Sequence, residues 1–215
     1  MLRTAFVLAL LPVGPVCAQD AAPRVVVFAG VERSLFADVA PLEEEGQTST
    51  GFELTDSGFD LTFGGEVAIL RWLAVGASHE RLSRVELRQT FDVSDFRRFS
   101  SELDRVFDPH VTELYAAPSW PLAPRIRVAG IAGIGFWRAD ENNTLVLLFE
   151  GEELSREKLR RQQSGTSWVI GGGIDAWVNR RVGVRIGYKY LRLSADDGEQ
   201  PVHNLRVLAL IGFGG

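Results

Sequence analysis

Residues 182–190 read Val-Gly-Val-Arg-Ile-Gly-Tyr-Lys-Tyr. In an extended strand, successive side chains point to opposite faces. Val182, Val184, Ile186, Tyr188 and Tyr190 then share one face, and Gly183, Arg185, Gly187 and Lys189 the other. A helical period would scatter both sets around its surface. The pattern recurs along the chain. Leu61, Phe63, Val67 and Ile69 oppose Asp60, Thr62, Gly64 and Glu66. Ile126, Val128, Ala132, Ile134 and Phe136 oppose Arg127, Ala129, Gly133 and Gly135. Leu205, Val207, Ala209, Ile211 and Phe213 oppose Asn204 and Arg206. One face is apolar and tall; the other mixes glycine and alanine with ionised groups.

Eight such runs are predicted, over 24–36, 58–70, 73–87, 110–120, 125–138, 164–178, 182–194 and 203–213. Their connections alternate in kind. Arg71-Trp72, the segment Pro121 to Pro124, and Asn179-Arg180-Arg181 are tight turns. Residues 37–57, 88–109, 139–163 and 195–202 are read as loops, rich in charge. Three tight turns and both termini therefore lie at one end, and four loops at the other. Short turns on one side and longer loops on the other mark an all-β, eight-stranded antiparallel up-and-down transmembrane β-barrel.

A soluble, lipocalin-like binding barrel is the alternative, with its apolar face inward. There the polar face would carry Lys, Glu and Thr rather than glycine. An eight-stranded barrel is just wide enough for side chains to fill, so small residues are needed beside a few long charged ones. The charges come in both signs: Asp60, Glu66, Glu80, Glu113 and Asp175 against Arg127, Arg185, Lys189 and Arg206. Unpaired inside, each costs several kcal/mol, whereas paired and hydrogen-bonded they are tolerated. They are read as an interior charge network. Aromatic residues are read as two membrane-interface belts. Trp72, Trp120, Trp177 and Phe213 lie on the turn side; Phe136, Trp137, Trp168, Tyr188 and Tyr190 lie near the loops.

Beyond the N-terminus no window holds the 18 or more apolar residues of a spanning helix. A net charge of −5 and a pI of 5.3 exclude a nucleic-acid binder held by general basicity. The single cysteine, Cys17, excludes a disulfide framework and a thiolate cluster. Residues 1–18 read as a secretory signal peptide: Arg3, an apolar run from Ala5 to Val13, and a small-residue cleavage site at Val16-Cys17-Ala18. Residues 19–215 are the predicted barrel domain.

The whole resembles the OmpA/OmpX-like family of eight-stranded outer-membrane β-barrels, a porin-family-like group of the Gram-negative cell envelope. The carriers are the signal peptide, the run from Gly64 to Leu70 turning at Arg71-Trp72 into Leu73-Ala74-Val75-Gly76, and the run from Ile170 to Trp177 turning at Asn179 into the run from Val182 to Tyr188. The resemblance implies a cell outer membrane location, with lipid and lipopolysaccharide as surroundings. It also implies insertion by the barrel-assembly machinery, which reads a terminal aromatic. Here Phe213 is followed by Gly214-Gly215.

Chemistry-bearing constellations are scarce. Ser78-His79-Glu80 invites comparison with lipid A-modifying barrel enzymes, but neighbours on a strand alternate faces and do not converge as a triad. His110 and His203 fall at strand starts. Glu43, Glu44 and Glu45 lack the spacing of a calcium loop. Residues 154–163, with the flanking Glu152 and Glu153 and with Arg156, Lys158, Arg160 and Arg161, are predicted as a short charged helix above the membrane. Arg81 and Arg192 take the outward parity near the loops, where lipid phosphates lie. No catalytic, cofactor or metal residue is expected. The function read from this is non-enzymatic, structural or adhesive, with an extracellular ligand met through the loops and no nucleic acid. A narrow pore for ions or small solutes and a lipid A-modifying enzyme are the alternatives.

Overall fold

The structure is a computed structural model that describes residues 23–36, 47–56, 58–93, 99–195 and 198–214. The predicted signal peptide and the Glu43–Glu45 run lie outside them. Ten antiparallel strands form one sheet: β1 (Val25–Phe36), β2 (Gln47–Asp56), β3 (Asp60–Leu70), β4 (Leu73–Arg81), β5 (Val85–Val93), β6 (Phe99–Ala123), β7 (Ile126–Phe149), β8 (Glu152–Trp177), β9 (Val182–Ala195) and β10 (Gly198–Phe213). Eight of them close a ring in the order β1-β3-β4-β6-β7-β8-β9-β10, sealed by β1 against β10 from Val25↔Phe213 to Phe36↔Val202. Each predicted run falls on one of these strands, with two corrections: the run 73–87 breaks after Arg81 and ends in β5, and β10 starts at Gly198, so most of the predicted loop 195–202 is strand.

β2 and β5 stand outside the ring. β4 pairs with β6 up to Arg81↔His110, and β5 continues that pairing from Val85↔Phe107. β2 adds to the far side of β5. The wall formed by β2, β5, β6, β7 and β8 therefore rises above the ring as a five-stranded extension. A transmembrane strand needs about 9–11 residues. β6, β7 and β8 have 25, 24 and 26, so more than half of each stands outside the apolar layer.

The extension corrects three loop expectations. Much of 37–57, of 88–109 and of 139–163 is strand, and the predicted charged helix at 154–163 is part of β8. The reason is the turn before it. Glu150 and Gly151 both have positive φ, 52° and 86°, the geometry of a two-residue hairpin whose twist matches its strands. Glu152 onward is thereby laid antiparallel against β7, as an edge strand up to the point where β9 joins at Thr166. Arg156 forks onto Glu153 at 3.0 and 2.7 Å on the exposed ribbon. That hydrogen-bonded pairing holds the Glu153 carboxyl below its ordinary range.

At the opposite end the turns are short. Asn179 Oδ1 accepts from the backbone N–H of Arg181 and of Val182 at 2.8 and 2.9 Å, closing the β8–β9 turn. Pro121 is tolerated within β6 because the ladder is irregular there, between Pro121 and Ala123. Most large apolar residues of the ring strands point out, although Val26, Phe28, Leu208 and Leu210 are buried in the interior. Leu61, Ile134 and Ile186 are exposed at 71, 61 and 64%, while Glu66, Glu80 and Lys189 are buried at 5, 0 and 0%. No helix among the described residues is long and apolar enough to cross a membrane; the crossing elements are strands.

Candidate functional site

Two tiers of charge occupy the lumen beside a cluster of buried apolar side chains. In the lower tier Arg185 lies between two carboxylates. Its Nη1 and Nη2 donate to Glu66 at 2.5 and 3.1 Å, and its Nε and Nη2 to Asp175 at 2.6 and 3.0 Å. Both contacts are bidentate forks, the geometry that gives a guanidinium its strongest pairing. Tyr115 Oη donates to Glu66 at 3.2 Å. Gly76 makes room for this: a Cβ there would sit 2.7 Å from the Tyr115 ring and 2.9 Å from Glu66 Cγ. Arg127 and Arg206 flank the tier on the inward parity.

In the upper tier Lys189 is enclosed by three acids. Its Nζ donates to Glu80 and, at 3.2 Å, to Glu113, with Glu32 at 3.9 Å. Ser78 Oγ donates to Glu113 at 2.9 Å. Asp60 lies above, accepting from Ser83 at 2.5 Å and Ser34 at 3.4 Å. Glu32, Ser34 and Tyr115 join these groups without having been named from sequence, while Asn204 has the inward parity read for it. Parity alone places Glu32 inside, since Val31 and Arg33 flank it on the outward face.

One step further up the chemistry changes. Leu82, Val111, Ala139, Leu191 and Val202 are all fully buried. They form an apolar seal across the lumen, directly above the ionic layer.

The aromatic residues divide. Trp72, Trp120, Phe136, Trp168, Tyr188 and Phe213 are exposed on the outer surface, and Tyr190 packs there against Trp168 and His203. Trp177 is a correction. It has the parity of Asp175 and packs inward against the core, its buried Nε1 without a partner among the described residues. Trp137 likewise turns inward, 5% exposed, and donates its Nε1–H to the Ser194 carbonyl at 3.1 Å.

Ser78, His79 and Glu80 do not converge. Ser78 and Glu80 enter the lumen, whereas His79 lies outside, bonded to Thr112 Oγ1 at 2.9 Å and stacked on His110 at 6.0 Å. His203 pairs with the Tyr188 hydroxyl at 2.5 Å. No group of three potential metal ligands occurs among the described residues. Arg81, His110 and Arg138 are cross-strand neighbours on the outer face of β4, β6 and β7. Arg81 is forked onto Asp108 at 2.9 and 2.6 Å, and Arg192 pairs with Glu199.

An apolar outer surface, a charged and filled lumen, tight turns at one end and long strands at the other define an integral β-barrel protein of the Gram-negative outer membrane. The model of the OmpA-like transmembrane domain matches residues 51–210, and the chain belongs to that family. No curated protein matches it in sequence. Solved structures similar to it include three barrels. Ail, the attachment invasion locus protein of Yersinia pestis, is 14% identical over 88% of this chain and 99% of its own, with a TM-score of 0.46. Neisserial surface protein A is 10% identical over 90 and 100%, at 0.43. The N-terminal barrel domain of Pseudomonas aeruginosa OprF is 15% identical over 88 and 98%, at 0.42.

Proposed function

We propose that the protein is a closed, non-enzymatic anchor that carries a binding sheet above the outer membrane and acts structurally or adhesively at the cell surface. The observation that supports this reading is the five-stranded extension built on β6, β7 and β8. A rigid scaffold that raises a polar surface beyond its membrane layer is suited to recognition. The outward row Arg81, His110 and Arg138 sits where the apolar surface ends, at the height of lipopolysaccharide phosphates, and orients the barrel in that leaflet. Insertion falls to the barrel-assembly machinery acting on β10.

The test removes the tip of the ribbon. Asn143 pairs with Leu159, so deleting 144–158 and joining those two through Asn-Gly keeps the register. The shortened protein is expected to retain the heat-modifiable gel shift of a folded barrel, while surface-expressing cells lose self-association or attachment. Unchanged attachment with the barrel intact would overturn the reading.

A pore is the competing function, and the lumen argues against it. An ion crossing would have to displace the Arg185 and Lys189 pairs and then pass the apolar seal, where it would have no polar partner. Purified protein in planar bilayers is expected to give no resolvable conductance steps at neutral pH. Regular, reproducible channels would replace the anchor reading with a pore.

A further inference from the structure

Above the seal the wall carries an apolar patch bordered by polar side chains. Phe36, Val85, Leu87, Phe107, Trp137 and Leu193 line a cup of about 330 Å³ at the extracellular mouth. Phe107 meets Phe36 edge-on at 6.4 Å and Trp137 at 6.1 Å. Trp137 has already given its N–H to Ser194, so its apolar ring is what it offers the cup. The ionic tiers below show that this barrel accommodates buried polar groups readily. The apolar part of the mouth is therefore a distinct local feature of the wall, built by β1, β5, β6, β7 and β9.

The rim supplies the second half of the argument. Arg105, Gln163, Glu199 and Gln200 border the cup. Arg105 Nε lies 2.7 Å from Glu141. Glu141 is 3% exposed and also accepts from Asn143 at 2.9 Å and Gln163 at 2.8 Å. Glu199 pairs with Arg192. Among the described residues the charges at the rim are matched within the protein, so an ionised ligand would have to break a pair or enter without a counter-ion there. A neutral ligand meets neither cost, and Arg105 and Gln163 offer the amide and guanidinium groups that a hydroxyl or carbonyl would use. A cavity of about 150 Å³ holds a benzene ring, and ligand pockets begin near 300 Å³. The volume therefore suits a two-ring or comparably branched molecule.

We propose that the mouth of the barrel is a holding site for a small, uncharged, mostly apolar molecule bearing one hydrogen-bonding group. The seal of Leu82, Val111, Leu191 and Val202 beneath it makes the site a dead end: the ligand is retained at the surface and does not pass through.

The experiment uses residues 19–215 folded into lipid nanodiscs and titrated with naphthol, with naphthoate as the ionised counterpart. The readout is the indole N–H resonance of Trp137, assigned by Trp137→Phe. Trp72 and Trp120, on the lipid-facing surface, report partition into the bilayer. Naphthol is expected to shift Trp137 saturably and leave Trp72 and Trp120 in place, with naphthoate at least about tenfold weaker. Val85→Phe, which fills the cup, should weaken naphthol by about tenfold or more while the gel shift shows an intact barrel. Arg105→Gln should weaken naphthol less than Val85→Phe. Three results would overturn the site: a shift shared by all the indoles without saturation, binding indifferent to Val85→Phe, or naphthoate binding as tightly as naphthol.

Discussion

Replacing Lys189 with methionine is expected to cost the folded barrel about 3–5 kcal/mol, the penalty for leaving buried charge uncompensated. Lys189 is fully buried, and Glu32, Glu80 and Glu113 all face its ammonium. Lys189 is the ion-pair partner that all three share. Methionine keeps most of the volume and removes the charge, so the loss isolates electrostatics from packing. Glu80→Gln should be much milder, because Lys189 retains Glu113 and Glu32. Arg192→Met should cost less than about 1 kcal/mol, its pair with Glu199 being exposed to solvent. Urea unfolding in detergent micelles, followed by tryptophan fluorescence, gives the three midpoints. A Lys189→Met cost no greater than that of Arg192→Met would show that the acids around Lys189 are not held as anions by it.

Much of this arrangement was legible from parity. A strand period of two is exact, so once Val184 and Ile186 face lipid, Arg185 and Lys189 face the lumen with no further information. The same arithmetic placed Glu66, Glu80 and Glu113 inside. Which carboxylate meets which cation was not legible. Arg185 reaches Glu66 across 119 residues of chain, and that meeting depends on the ring closing with a particular stagger. Glu32 is readable by the same parity, within the valine-rich run of β1. The height of Trp177 and Trp137 along their strands suggests the belts, but their parity turns them inward.

The extension was less legible for a physical reason. Residues 152–163 carry good helix formers, and local preference points to a helix. The tertiary ladder with β7 overrides it, seeded by the turn at Glu150-Gly151. The cup above the seal needed coordinates altogether. Phe36, Phe107, Trp137 and Leu193 are scattered over four strands, and nothing in the spacing of one predicts the height of another.

The second large effect tests which face of the sheet meets lipid. Ile186 lies mid-strand on β9, 64% exposed, with Ile174 and Val207 as its exposed cross-strand neighbours. In water such a row of aliphatic side chains would be a liability; against acyl chains it is the expected surface. Ile186→Arg is expected to destabilise the barrel in lipid or micelles by about 2–4 kcal/mol, the cost of a guanidinium near the bilayer midplane. The same change near the extracellular end, Pro201→Arg, should cost about 1 kcal/mol or less, because depth sets the penalty. The depth dependence is the decisive quantity. A soluble barrel, its outer face in water, would accept arginine equally at both heights and gain solubility from it. Equal and small effects at Ile186 and Pro201 would therefore turn the molecule inside out; a steep difference between them places the outer surface in hydrocarbon.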